Sequence, residues 1–192
     1  TSNPLGTYNR YQFSYTAFND YPKMGLWPGP GGVGGSYLTT YNMFTPPNFD
    51  FIGSKSCAFD RAKMLAGAAA TQQCFDTDNT IGGLLAADVD GPTLPPAGSD
   101  HYVLALDTNR LASFKMHIDF ATPANSTFVG PTFITTAAFT PLCNGGTCVT
   151  QPGTGPRAKT TTPCTMRPWL VARYIDAPVV STSSAISKRP AS

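Results

Sequence analysis

The sequence predicts an all-β fold of antiparallel strands joined by tight turns, with one short helix. Three observations predict it. Eighteen Gly and 18 Pro stand beside 12 Phe and 8 Tyr, a mixture of turn formers and strand-favouring aromatics. The 11 acidic residues are all Asp, so Glu, an ordinary filler of helix surfaces, is missing. Several segments alternate apolar and polar residues with period two, the mark of a half-buried strand.

Taken in order, residues 10–17 put Tyr11, Phe13, Tyr15 and Ala17 on one side and Arg10, Gln12, Ser14 and Thr16 on the other. Strands are next predicted over 37–44 and 56–59. Asp60 then stands where it can cap a helix, residues 61–66 are good helix formers, and Gly67 or the alanines after it end the helix. Further strands are predicted over 73–76, 102–106 and 114–120. In the last of these, Phe114, Met116, Ile118 and Phe120 share one face, and Lys115, His117 and Asp119 the other. Strands over 132–139 and 169–175 complete the set. Turn clusters fall at 27–35, 90–98 and 144–155.

Five cysteines stand at 57, 74, 143, 148 and 164. Cys143 and Cys148 enclose a Gly-rich turn, which suits a disulfide closing a hairpin. Cys57 and Cys74 flank the short helix and form the natural second pair, leaving Cys164 over. A zinc site would want two short Cys/His pairs and only one exists, so disulfides and an oxidising compartment are expected. The net charge of +2 is too small to predict a nucleic-acid partner. Six of the 13 basic residues lie beyond residue 152, where Asp176 is the only acid; a solvated or poorly ordered tail is the plain reading. No run of about 18 apolar residues is present, so no membrane span is expected.

An internal similarity organises the chain. Ser36, Thr45, Pro46, Asn48, Phe51 and Gly53 recur 77 residues later as Ser113, Thr122, Pro123, Asn125, Phe128 and Gly130. Each copy reads strand, Thr-Pro-x-Asn turn, Phe-[Ile/Val]-Gly, strand. A fixed-period repeat of strand hairpins suggests stacked or radial β units such as propeller blades.

The run Asp20-Tyr21-Pro22-Lys23-Met24-Gly25-Leu26-Trp27-Pro28, followed by Tyr37-Leu38-Thr39-Thr40-Tyr41-Asn42-Met43-Phe44, resembles a pattern of large, mostly uncharacterised bacterial secreted proteins with propeller-like repeats. The run from Cys57 through Asp60 to Gly67, and Asp119-Phe120-Ala121-Thr122-Pro123-Ala124-Asn125, fit the same group. The resemblance covers residues 8–152 and implies an extracellular or cell-surface location and antiparallel propeller-like blades. It departs at Gly29, where the pattern has Asp, and stops after Gln151. The expected organisation is a repeat region over 1–152, with units around 8–76 and 84–143, and a basic tail over 153–192 that is poorly ordered or not the native continuation. Two repeats cannot close a ring of four to eight blades, so an incomplete ring, and hence a fragment, is expected.

Candidate chemistry is sparse. A propeller-type glycosidase needs two carboxylates across a sugar, and Asp20, Asp60 and Asp119 are the candidates; Asp20, before Tyr-Pro, also suits turn capping and Asp60 a helix cap, and Glu, the usual acid in such propellers, is absent. Asp88 and Asp90, with Asp100, could give calcium oxygen ligands, though Pro92 and Ser99 break the EF-hand pattern. No other cofactor is expected. Lys115 and His117 could meet an anion, and Trp27 a carbohydrate face, although aromatics at strand spacing more often lie in a core. These residues favour a non-catalytic segment that binds an extracellular protein or carbohydrate in surface interaction or adhesion. The alternative is a fragment of a propeller-type carbohydrate-active hydrolase.

Overall fold

A computed structural model describes residues 3–139. Two antiparallel four-stranded sheets make up the architecture, each a meander in which every strand pairs with the next in sequence. Sheet A comprises β1 (Phe18–Pro28), β2 (Gly35–Thr45), β3 (Asp50–Asp60) and β4 (Gln72–Asp76). Sheet B comprises β5 (Leu85–Ala86), β6 (His101–Asp107), β7 (Arg110–His117) and β8 (Thr127–Thr135). The one α-helix among the described residues, α1 (Arg61–Ala66), joins β3 to β4. The sheets do not close a ring. No helix among the described residues is long and apolar enough to cross a membrane.

Alternation in the strands builds the core. Leu38 and Ala58 from sheet A meet Val103, Ala105, Ala112, Phe114 and Met116 from sheet B, with Leu84 between them. Burying such side chains stabilises the pair by roughly 1.5–3 kcal/mol for each large one. The ring of Phe128 stacks on Phe114 (centroids 4.9 Å apart) and on Phe75 (5.6 Å), carrying the core from β7 and β8 across to β4. Polar bonds also cross between the sheets. Thr40 Oγ1 donates to Leu84 O at 2.5 Å, and the Leu26 backbone N–H donates to Asp88 Oδ1 at 2.7 Å. At Gly25, β1 approaches β5 and the residue after it closely: a Cβ there would lie 2.5 Å from Ala87 O and 2.9 Å from the Ala86 methyl.

α1 follows the sequence prediction closely. Asp60 accepts from the Lys63 N–H at 3.1 Å, and Gly67 closes the last turn with φ 69. Left-handed backbone is a conformation Gly adopts without a Cβ penalty. Cys57 and Cys74 sit opposite each other on β3 and β4 and are joined by a disulfide. Cys143, Cys148, Cys164, the predicted strand over 169–175 and the tail over 153–192 lie outside the described residues.

Three predicted strands are corrected. Residues 10–17 belong to neither sheet; the first strand is Phe18–Pro28. Their alternation is nonetheless real: Tyr11, Phe13, Tyr15 and Ala17 are half-buried and their neighbours are exposed. This strap lies across the outer face of sheet A. Phe13 packs on Phe59 (4.8 Å), Tyr15 on Tyr41 (5.5 Å), and Tyr15 Oη donates to Gln72 Oε1 at 2.9 Å. Period two reports one buried face, and side-chain packing produces it without any ladder. The strand predicted over 114–120 stops at His117 (Arg110–His117), because Asp119 turns the chain. The strand predicted over 132–139 runs instead over Thr127–Thr135.

The two similar segments both form strand–turn–strand units, β2–β3 and β7–β8. In each, the shared glycine has positive φ (Gly53 128, Gly130 149) and lies at a shift in strand register. Their places differ, since β2 is second in its sheet and β7 is third.

Candidate functional site

The three candidate catalytic carboxylates are each engaged locally. Asp20, in β1, accepts from the Tyr21 N–H at 2.7 Å. Asp60 caps α1 and also lies 3.5 Å from Lys63 Nζ. Asp119 accepts from the N–H groups of Ala121 (2.9 Å) and Thr122 (2.8 Å) and from Asn125 Nδ2 (3.0 Å). Those bonds, that of Thr122 above all, hold the Asp119 carboxyl below its ordinary pKa. Asp20 pairs with Asn42 and Asp60 with Ser36, so the two stand toward opposite ends of β2. Six residues of strand correspond to about 20 Å, twice the widest separation of a glycosidase pair.

The calcium candidates do not assemble either. Asp88 accepts from β1, and Asp100 Oδ1 lies 3.7 Å from His117 Nδ1. Among the described residues, no three His, Cys or Asp side chains come together to hold a metal.

Of the binding candidates, Lys115 and His117 are exposed on β7, with Lys115 Nζ 5.9 Å from the Tyr102 ring centroid. Trp27 is buried, so its ring offers no surface for a sugar. It stacks on His101 with centroids 4.7 Å apart and donates from Nε1 to Ser99 O at 3.2 Å. His101 is buried too, with Nε2 2.7 Å from Ala87 O. A carbonyl can only accept, so the neutral ring carries its proton on Nε2. Nδ1 is buried with no hydrogen-bond partner. Burial pushes the His101 pKa down to about 4.

Two open clefts flank β4. One, of about 500 Å³, runs between the strap and sheet A past Tyr15, Ile52 and Thr77; it also holds the Lys55–Asp76 ion pair (2.5 Å). The other, of about 410 Å³, is lined by Asp78, Arg110, Phe128 and Phe133. In it Arg110 pairs with Asp107 at 2.6 Å and lies 3.6 Å from the Phe133 ring centroid.

One constellation escaped the sequence reading. At the end of sheet A where β2 turns into β3, Phe18 pairs with Phe44 and Phe44 with Phe51. The Phe18 and Phe49 rings meet edge to face at 5.3 Å, and Phe44 and Phe51 at 5.7 Å. Phe18 is 47% exposed and Phe49 53%. Asn19, Asp20, Asn48 and Asp50 are exposed among them. The available signal was Phe49 itself, a large apolar residue inside a Pro-Pro-Asn turn. No family model, curated protein or solved structure matches this chain.

Proposed function

We propose that this chain is part of an extracellular, propeller-like β protein that binds a surface component and carries out no reaction of its own. The observation that carries this reading is the packing of two four-stranded meanders face to face through one core, as neighbouring blades pack. The Cys57–Cys74 disulfide supports an oxidising compartment. The glycines shared by the two similar segments, both at register shifts, support their reading as two tandem units. The hydrolase alternative is disfavoured by the separation of Asp20 from Asp60 and by the capping bonds of all three carboxylates. Surface binding draws support from the exposed Phe18 and Phe49 rings, which meet edge to face.

The test uses the full chain recovered from its native compartment. Non-reducing peptide mapping should join Cys57 to Cys74, and the labelled chain should bind intact cells of its source saturably. Free thiols at both positions overturn the location. Absence of saturable binding overturns the role.

A further inference from the structure

We propose that the Cys57–Cys74 disulfide is a latch that an external thiol opens from one side only, at Cys74, freeing β4 from the strap. The latch works whatever the chain binds.

The two cysteines differ in their surroundings. Cys57 lies inside sheet A, between Thr39 of β2 and Cys74 of β4 in the register, and is fully buried. Cys74 is half-buried, and no strand of the sheet pairs with β4 on its far side. A thiolate attacks a disulfide along the S–S axis, from behind the sulfur that it joins, so access decides which sulfur is taken. The bond runs from β3 to β4. Attack on Cys57 must therefore come from the side of β2, where Thr39 is buried too, and attack on Cys74 from the open edge of the sheet.

The group that departs is also prepared. Tyr15 Oη donates to Cys57 Sγ at 3.5 Å and to Gln72 Oε1 at 2.9 Å. Burial, with Tyr41 beside it, holds the Tyr15 phenol well above its ordinary pKa, so the hydroxyl keeps its proton at neutral pH. That one proton is shared by an amide oxygen and a disulfide sulfur, which is a weak acceptor. A thiolate is charged and accepts far more strongly. As the bond opens, the proton turns to Cys57, and a stabilised thiolate leaves faster. Gln72 then loses its bond to the strap. β4 is left on its five register pairs with β3 and on the Phe75–Phe128 stack.

The incoming thiolate forms a bond to Cys74 Sγ, the Sγ–Sγ bond breaks, and its electron pair leaves on Cys57, which takes a proton from water. A second external thiol attacks the mixed disulfide and releases Cys74. The chain gains two electrons and two protons, and two external thiols become one disulfide.

Exchange of the native full chain with glutathione tests this. The reaction is quenched with acid, free thiols are alkylated in denaturant, and the peptides holding residues 57 and 74 are mapped apart from those of the other three cysteines. Glutathione on Cys74 with the alkyl group on Cys57 should exceed the reverse arrangement at least tenfold. Y15F, which keeps the ring against Tyr41, should open at least threefold more slowly. In the opened wild type, amide hydrogen exchange should rise tenfold or more in β4 and stay unchanged in β6 and β7. Glutathione on Cys57 as often as on Cys74 overturns the proposal, as does opening that begins only where denaturant unfolds the chain. An unchanged rate in Y15F, or unchanged exchange in β4, overturns it equally. If Y15F fails to form the disulfide, the adduct ratio and the amide exchange of the wild type decide.

Discussion

His101 is a buried base whose only hydrogen-bond acceptor lies on Nε2. A second proton would have to enter at Nδ1, where nothing accepts it, under the stacked Trp27 ring. The folded pKa of about 4 lies below the ordinary 6.5, so between these values the unfolded chain binds the proton and the folded chain does not. Stability is therefore fully present above pH 6.5 and falls as the pH drops toward 4. The full loss is about 3 kcal/mol at 1.4 kcal/mol per pH unit. Thermal unfolding at a series of pH values should show the midpoint falling over that interval in the wild type and staying flatter in H101Q. An equal slope in both would place the titrating group elsewhere. The sequence marked Trp27 as a candidate and gave His101 no role. Their mutual burial depends on β1 and β6 lying in different sheets, which period-two patterns do not report. The roles of Asp60 and Gly67 were legible because a helix cap is decided within a few residues. The Phe18–Phe49 contact was not, because it joins a strand start to a turn beyond the next strand.

The disulfide and the strap decide how sheet A holds together. Cys57 and Cys74 bracket α1 and are adjacent on β3 and β4, so the bond closes a short loop. For a sequence separation of 17, the lost chain entropy of the unfolded state is worth about 3 kcal/mol. C57A/C74A should therefore lower stability to denaturant by about that amount, read from the midpoint together with the slope, which rises as the unfolded chain expands. A midpoint unchanged from the oxidised wild type would show that α1 and the strap already hold β4 in place. Six of the eight described strands could be placed from sequence, β3, β7 and β8 beginning four to six residues earlier than predicted, while β5, of two residues, was missed. β1 could not, because it carries Pro22, Gly25 and Pro28 and no clean period. The regular alternation just before it, in residues 10–17, drew the prediction one element too early.

For the molecule as a whole, the close approach at Gly25 controls whether the sheets pack. A methyl group there would meet a backbone carbonyl and a second methyl that belong to the chain leaving β5. Neither is a flexible side-chain end that could swing aside. Overpacking of this kind costs about 1–3 kcal/mol, and a backbone neighbour puts it at the upper end. G25A should thus lose about 3 kcal/mol and expose the Trp27 ring, seen as a red shift of tryptophan emission. An unshifted spectrum with unchanged stability would mean the sheets can slide apart without loss.

The strap along sheet A also gives the molecule a direction. Phe13 and Tyr15 occupy the face that another sheet would need, and they do so without using any rung of a β ladder. Another sheet could pack on this part of sheet A only by displacing those two rings.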